Sequence, residues 1–253
     1  MTDLHCHILP GIDDGARNSG VSMRLLEMEV RDDVDKIVLT PHFNCETETI
    51  AEFRQKRRRG VLDLAEKLRK SRVEVEFKLG AEIYFSPELP NLDLHDLCCS
   101  GTDLLLIELP VTYNPGWTRD ILFELQLQGY RILLAHVERY PYVLEHPDLL
   151  YELVNAGIYA HMNAPSLLHK GNEAKMIRKL IDCNLVHTLA SDAHSVHRRP
   201  VKLAEAYEQL DHWFGSAMVR RMQTNADALF AGREPRLLGE PTQPRAGFHL
   251  FGN

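Results

Sequence analysis

The chain has 253 residues, 44% of them hydrophobic and 26% charged, and its formal net charge is −7. This composition is ordinary for a globular protein with a sizeable core, and the length allows one α/β barrel or two small domains. The negative charge argues against binding to nucleic acid or to a membrane surface, because phosphate contacts need clustered positive charge. The N-terminus does not resemble a signal peptide and no apolar run approaches transmembrane length, so no membrane insertion is expected.

Seven short apolar runs, bounded by polar residues, predict strands buried on both faces, as in a parallel sheet. They lie at 2–7, 36–40, 73–79, 103–107, 131–135, 158–162 and 186–190. Helical patterns separate them. Apolar residues at i, i+3, i+4 and i+7 predict one buried stripe on each of two helices. These stripes are Val61, Leu64, Ala65 and Leu68, and Leu203, Ala206, Tyr207 and Leu210.

Seven strand-then-helix units without a break in composition favour one α/β barrel over two domains. We therefore predict a single domain over residues 1–232. Residues 233–253 are rich in Pro, Gly and Arg and show little periodicity, which predicts a C-terminal tail or surface strap.

The five cysteines are odd in number and form no Cys-x-x-Cys pair. They indicate reduced thiols in a cytoplasmic protein rather than a disulfide framework or a structural zinc site. None has an arginine six positions later, so the Cys-x5-Arg loop of thiol-dependent phosphatases is missing. The cysteines are Cys6, Cys45, Cys98, Cys99 and Cys183.

Nearly every predicted strand ends in a residue type that binds metals. His5 and His7 end the first strand, and their spacing of two places both side chains on one side of it. Two acids, Asp13 and Asp14, occupy the turn that follows. The later strands run into His42, Glu82, Glu108, His136, Asp192 and His194.

In a parallel barrel these strand ends meet on one face, where active sites lie. A charge that directly follows a buried strand is costly unless it is paired or bound to a metal. Caps and turns explain one or two such residues, but not the same pattern on six strands. Because imidazole and carboxylate are the ligands that divalent transition metals bind, the sequence predicts a metal centre.

The order of these motifs resembles the PHP (polymerase and histidinol phosphatase) superfamily. More closely, residues 1 to about 232 resemble the capsular-polysaccharide tyrosine-protein phosphatases of the CpsB/YwqE type. The resemblance implies a distorted (β/α)7 TIM-like barrel that holds three divalent ions, commonly manganese, with iron or zinc as alternatives. It rests on Asp3-Leu-His-Cys-His7, Gly80-Ala-Glu-Ile-Tyr84, Ala135-His-Val-Glu-Arg-Tyr140, Ser191-Asp-Ala-His194 and Arg199-Pro200.

Carried over position by position, the resemblance implies three ligand groups that share Glu82 as a bridge. Asp13 stays an alternative to Asp14, because two adjacent acids on a turn cannot be separated from sequence. The groups are His5, His7, Glu82 and Asp192 for one ion; Asp14, His42 and His194 for a second; and Glu82, Glu108 and His136 for a third.

Two arginines beside the ligand motifs, Arg139 and Arg199, match arginines that the family uses near the phosphate. A planar guanidinium can hold two phosphate oxygens at once. Arg198 competes with Arg199, but the following Pro200 favours Arg199 as the match. Tyr84, Tyr140 and Asn163 line the pocket or have packing and turn roles, and the sequence does not separate these alternatives.

The resemblance implies hydrolysis of phosphotyrosine on a bacterial tyrosine autokinase that controls capsule or exopolysaccharide synthesis. We expect direct attack by a metal-bridging hydroxide, with no cysteinyl-phosphate intermediate. The main alternative is a small-molecule phosphoesterase such as a histidinol-phosphate phosphatase. Glutamate at Glu108, where many PHP enzymes have histidine, weakens that alternative. A polymerase-associated exonuclease and a non-catalytic scaffold for a kinase are further alternatives.

Overall fold

The computed structural model describes residues 1–235 and 239–244. It contains nine short strands, all paired in parallel with their neighbours. The strands are β1 (Thr2–Cys6), β2 (Lys36–Leu39), β3 (His42–Phe43), β4 (Glu76–Leu79), β5 (Glu82–Tyr84), β6 (Leu104–Glu108), β7 (Arg131–Leu134), β8 (Tyr159–Asn163) and β9 (Thr188–Ala190).

The strands form a ring with seven positions. One sheet has the order β1-β2-β4 and the other β3-β5-β6-β7-β8-β9. β3 continues the path of β2, and β5 continues that of β4. The ring closes where Cys6 bridges Ala193, just beyond β9. The predicted distorted (β/α)7 barrel is therefore confirmed.

Nine strands occur instead of the predicted seven because two of the seven are interrupted. Pro41 separates β2 from β3, and a proline cannot donate a ladder hydrogen bond. Gly80 and Ala81 separate β4 from β5. The pairing continues across both breaks, since Gly80 N donates to Leu39 O at 2.9 Å and Glu82 N donates to Pro41 O at 3.1 Å. β4, which corresponds to the third predicted strand, begins at Glu76 rather than at Val73.

In the described part of the chain, eight α-helices surround the ring. The α2 helix begins with a capping box between Thr49 and Glu52. All four residues of the predicted stripe on α7 are buried, whereas on α2 only Leu64 is buried and Ala65 is exposed. The helices are α1 (Ser19–Arg31), α2 (Ile50–Leu68), α3 (Thr118–Leu127), α4 (Pro141–Glu145), α5 (Asp148–Asn155), α6 (Asn172–Asp182), α7 (Leu203–Phe214) and α8 (Ser216–Phe230).

Among the described residues, the core consists of two apolar clusters. The larger one lies between the outer faces of the strands and the helices. The smaller one fills the lower half of the ring's interior, and we call it the barrel floor. Its members are Leu4, Val38, Cys99, Leu104, Leu106, Leu133, Ala135, Tyr159, Ala226, Leu229 and Phe230, the last three from α8. The strand ends above this floor carry the predicted metal ligands.

The described part of the predicted tail contacts the barrel. Arg131 Nη1 donates to Arg233 O at 3.0 Å, and Thr242 N donates to Cys183 O at 2.9 Å. Residues 236–238 and 245–253 lie outside the described residues, so the boundary at 232 stays a prediction. Within residues 1–235 and 239–244, no helix is both long and apolar enough to span a membrane.

Candidate metal centre

The structure brings all eleven predicted site residues together at the carboxyl ends of the strands. Six of them are almost completely buried, namely His5, His7, Glu82, His136, Asp192 and His194. The others form a more open edge: the side chains of Asp14, His42, Arg139 and Arg199 are 66%, 39%, 40% and 38% exposed, and that of Glu108 is 14% exposed.

An irregularity in β1 aims His5 into the barrel. The pairing of β1 with β2 shifts register between Asp3 and Cys6. Leu4 packs in the barrel floor, yet its neighbour His5 also faces the interior, where simple alternation would place only one of the two. Bulges of this kind are common next to active sites, where they redirect a side chain.

Glu82, on β5, lies at the middle of the cluster. Its Oε1 is 2.9 Å from His136 Nε2, and its Oε2 is 2.9 Å from His42 Nδ1. The same Oε2 lies 3.2 Å from the Nε2 atoms of both His5 and His7. One carboxylate therefore faces four imidazoles, as a carboxylate that bridges metal ions would.

The two acids of the first turn have different positions. Asp13 Oδ2 contacts His7 Nδ1 at 2.7 Å and accepts from His42 N at 3.0 Å, and Asp13 Oδ1 accepts from Gly15 N at 2.9 Å. Asp14 instead turns its Oδ1 toward His42 Nε2 at 3.3 Å and His194 Nε2 at 3.4 Å. The geometry favours Asp14 as the ligand and Asp13 as the group that orients His7.

Both arginines contact the same carboxylate oxygen. Arg199 Nη2 is 2.5 Å and Arg139 Nη1 is 3.3 Å from Asp192 Oδ2. Asn163 Nδ2 donates to this oxygen as well, at 2.6 Å. Arg199 is held in place because its carbonyl accepts from His194 N at 2.9 Å. The two guanidinium groups thus lie side by side, half-exposed, at the edge of the buried cluster.

The charges of the cluster depend on one another. Burial alone would raise the pKa of Glu82, but the charge of His5 and the hydrogen bond from His136 hold it well below its usual range. Burial opposes the protonation of His7, yet its bonds to Asp13 and Glu82 raise its pKa to about 10. Because a metal ion must displace such protons, its affinity here would depend on pH.

Three buried polar atoms show that the cluster fits cations. Glu82 Oε2, Asp192 Oδ1 and His194 Nε2 make no hydrogen bond of normal geometry. Each nevertheless lies 2.9–3.6 Å from at least one other imidazole nitrogen or carboxylate oxygen of the cluster. Buried polar atoms are costly without a partner, and nitrogen and oxygen atoms that converge in this way would be satisfied by divalent ions.

Behind the ligands lies a buried network that the sequence did not predict. Asp3 Oδ1 accepts from His5 N at 3.2 Å and Ser191 N at 3.0 Å, so it joins β1 to the segment after β9. Ser191 Oγ lies 2.5 Å from Asp3 Oδ2 and 3.4 Å from Glu29 Oε1 on α1. The acid in Asp3-Leu-His-Cys-His7 was the available signal, but its partners are too distant in sequence to be inferred.

The structure also shows the contacts of residues whose roles the sequence left undecided. Tyr140 has a packing role, because it is buried and its hydroxyl donates to Ala135 O at 2.8 Å. Asn163 lines the site through Asp192. His161, on β8, contacts His5. The sequence contained a sign that both residues face the site, because His161 and Asn163 are two residues apart at the end of a strand, as His5 and His7 are.

Replacing Gly15 with Ala should disturb the first turn and destabilise the protein. A Cβ at this position would lie 2.3 Å from His7 O and 2.9 Å from Asp13 Oδ1, so the turn that carries both acids must move. We expect a cost of about 1–3 kcal/mol, or roughly 3–10 °C in Tm at this chain length, and a lower content of bound metal. Thermal melting and elemental analysis measure the two effects.

The matched control is Gly116→Ala, because a Cβ there meets no atom within 4 Å. It should leave both quantities unchanged. A Gly15→Ala protein with the Tm and metal content of the unmodified protein would contradict the close approach of the turn to β1.

The sequence model of a family described as "Capsular polysaccharide synthesis, CpsB/CapC" matches residues 1–231. The chain belongs to the CpsB/CapC family. Among CpsB/CapC relatives, the tyrosine-protein phosphatase YwqE of Bacillus subtilis (strain 168) is 34% identical over 100% of this chain and 99% of its own. The tyrosine-protein phosphatase CpsB of Streptococcus agalactiae is 28% identical over 88% of this chain and 94% of its own.

Solved structures support the same assignment. A chain from the crystal structures of YwqE from Bacillus subtilis and CpsB from Streptococcus pneumoniae, described as metal-dependent tyrosine phosphatases, matches with a TM-score of 0.89 and 31% identity. The match covers 98% of this chain and 100% of that one. A resiniferatoxin-binding protein from Rhodobacter sphaeroides, with a TM-score of 0.54 and 14% identity, shows a likeness of fold alone. The suspected CpsB/YwqE relationship is therefore confirmed.

Proposed function

We propose that this protein is a metal-dependent protein-tyrosine phosphatase that acts on a bacterial tyrosine autokinase controlling capsule or exopolysaccharide synthesis. The observation that carries the proposal is that two half-exposed arginines, Arg139 and Arg199, meet a buried cluster of His, Asp and Glu at Asp192. The names of the CpsB/CapC relatives support the phosphotyrosine substrate and the link to capsule synthesis.

We propose three divalent ions, manganese, iron or zinc, held by the ligand groups inferred from the sequence. Candidate ligand atoms lie within 4.8 Å of one another in sets that overlap these groups, with His7 also close to the second ion's ligands. Four carboxylates against the six positive charges of three ions leave a net charge of +2. A phosphate monoester carries about −1.5 to −2 and would balance it. The carboxylates are those of Asp14, Glu82, Glu108 and Asp192.

When bound, the ions would supply the attacking hydroxide at neutral pH and neutralise the charge that develops on the phosphoryl group. The chain's own contribution is to position the substrate. Arg139 and Arg199 already point donors at one oxygen, Asp192 Oδ2, and an entering phosphate can share those donors. Asp13 and Asn163 hold His7 and Asp192 in place, so the arrangement exists before substrate binds.

The three most deeply buried cysteines fit no covalent mechanism. Cys6 is fully buried, and burial with the charge of Asp3 raises its pKa well above the usual value. Burial also raises the pKa of Cys98 to about 12 and that of Cys99 to about 11. Nucleophilic cysteines need a lowered pKa and access to solvent. All five thiols are free, which fits a reducing compartment, and we propose the cytoplasm as its location.

A substrate panel tests the proposal. With added Mn²⁺, kcat/KM should be at least about tenfold higher (~1.4 kcal/mol) for a phosphotyrosine peptide than for histidinol phosphate, a phosphoserine peptide or single-stranded DNA. The Glu82→Gln protein, purified identically, serves as the blank for contaminating phosphatases. Preferred hydrolysis of histidinol phosphate or of DNA would replace the proposed function with one of the alternatives.

A further inference from the structure

Of the seven ring positions in the described part of the chain, the one formed by β8 ends without a candidate metal ligand, but the inward side chains of β8 contact the ligands of other strands. Along it, Tyr159, His161 and Asn163 alternate toward the interior. Tyr159 belongs to the barrel floor, and Asn163 donates to Asp192 Oδ2. Between them, His161 Nε2 lies 2.9 Å from His5 Nδ1. Both imidazoles are 0% exposed, so water does not compete for this contact.

The two nitrogens of His5 have different surroundings. Its Nε2 points into the cluster, 3.2 Å from Glu82 Oε2 and 3.6 Å from Asp192 Oδ1. Its Nδ1 faces His161, whose ring meets that of His5 almost edge-on, at 78° and a centroid distance of 5.0 Å. For Nε2 to offer its lone pair to an ion, the ring proton must lie on Nδ1.

We propose that His161 is a positioning residue that accepts the Nδ1–H of His5 and so directs the Nε2 lone pair of His5 toward the metal centre. The proposal rests on the metal centre proposed above. A ligating histidine commonly donates its other N–H to a neighbouring group, which sets both the tautomer and the orientation of the ring. The structure offers His161 as that group for His5.

The other histidine of the pair has a different partner. His7 Nδ1 contacts the carboxylate of Asp13 at 2.7 Å. A carboxylate strengthens the histidine ligand by its charge as well as by orientation, whereas a neutral imidazole that accepts a hydrogen bond supplies orientation without a formal negative charge. The adjacent ligands His5 and His7 are therefore supported in different ways, and the role of His161 is to hold the His5 ring in one tautomer.

Two substitutions separate this role from simple packing. His161→Met introduces an apolar side chain of similar length that accepts no comparable hydrogen bond. His161→Gln instead retains a strong acceptor. His187→Met is the matched control, because His187 is also a buried histidine, next to β9, but its Nδ1 accepts from Ala160 N at 2.9 Å and contacts no candidate ligand.

The measurement is calorimetric titration of the metal-free, folded proteins with Mn²⁺, with circular dichroism as a check on folding. His161→Met should lower the affinity for the Mn²⁺ ion that His5 would bind by about 10- to 100-fold, the usual effect of losing a group that orients a ligand. His161→Gln should recover most of the affinity, and His187→Met should match the wild type. A folded His161→Met protein that binds Mn²⁺ as tightly as the wild type would overturn the proposal.

Nuclear magnetic resonance of the Zn²⁺-loaded wild type, labelled with ¹⁵N at histidine, decides the question if His161→Met does not fold. We expect a proton on His5 Nδ1 and a through-hydrogen-bond coupling between that nitrogen and His161 Nε2. A His5 ring without a proton on Nδ1 would overturn the role of His161 but would leave the proposed metal centre in place. Wild-type protein that binds no divalent ion would instead overturn the metal centre, and this proposal with it.

Discussion

Replacing Glu82 with Gln should lower kcat/KM for a phosphotyrosine peptide by at least about 10³-fold, or ~4 kcal/mol of transition-state stabilisation. The side chain keeps its shape but loses the negative charge that faces the imidazoles of His5, His7, His42 and His136. We expect bound metal to fall in parallel, because this carboxylate lies at the middle of the proposed ligand groups. Steady-state kinetics and elemental analysis of the same preparation measure both effects.

Glu138→Gln is the matched control. Glu138 is also buried, but its Oε1 accepts from Asn163 N at 3.0 Å and Ser166 Oγ at 2.7 Å, and it contacts no candidate ligand group directly. This variant should keep its metal. Chelation of the unmodified protein should reproduce the loss of activity, and Mn²⁺ should restore it. Full activity in metal-free protein would refute the proposed mechanism.

Arg139→Ala and Arg199→Ala should each lower turnover by about 10²-fold, close to 2.7 kcal/mol, the usual cost of removing one donor from a developing oxyanion. Both arginines are half-exposed and direct their donors at Asp192 Oδ2, where a phosphate can reach them. Because neither is proposed as a metal ligand, the metal content should not change. A small substrate, para-nitrophenyl phosphate, reports on the phosphate contacts without the rest of a peptide.

Arg198→Ala is the internal control for Arg199. Its backbone N donates to Ser195 Oγ, and its side chain is exposed. Turnover should stay within about twofold, as for most surface substitutions. If Arg198→Ala and Arg199→Ala lose equal activity, the sequence register at Pro200 assigned the wrong arginine. If the arginine variants lose metal, their role is to hold Asp192 rather than the substrate.

The arrangement of the barrel and the position of the site were predictable because they follow from local patterns. Apolar runs alternate with helical stripes, and parallel strands bring residues such as Glu82, Glu108 and His136 to one face whatever the details of packing. The two broken strands were not predicted. Pro41 and the Gly80-Ala81 pair were visible, but whether pairing resumes beyond such residues depends on neighbouring strands.

The parts of the site that sequence did not supply depend on contacts across the barrel. The register shift in β1 is a property of its pairing with β2 rather than of its own residues. The choice between Asp13 and Asp14 required the positions of His7, His42 and His194. Glu29 lies on a helix whose periodicity identifies it only as one polar residue among many, yet it is buried beside Asp3 and Ser191.

The barrel floor has a consequence for the order of events in a catalytic cycle. Leu4, Val38 and Phe230 fill the lower interior, so the cluster is reached from the edge formed by Asp14, His42 and the two arginines. Substrate and product then use one route in opposite directions. On the proposed mechanism, the released phosphate would leave past the same arginines that receive the next substrate, after the dephosphorylated tyrosine has withdrawn. Inorganic phosphate in the surrounding solution would therefore bind where the phosphoryl group of the substrate binds, and we expect it to inhibit competitively with substrate.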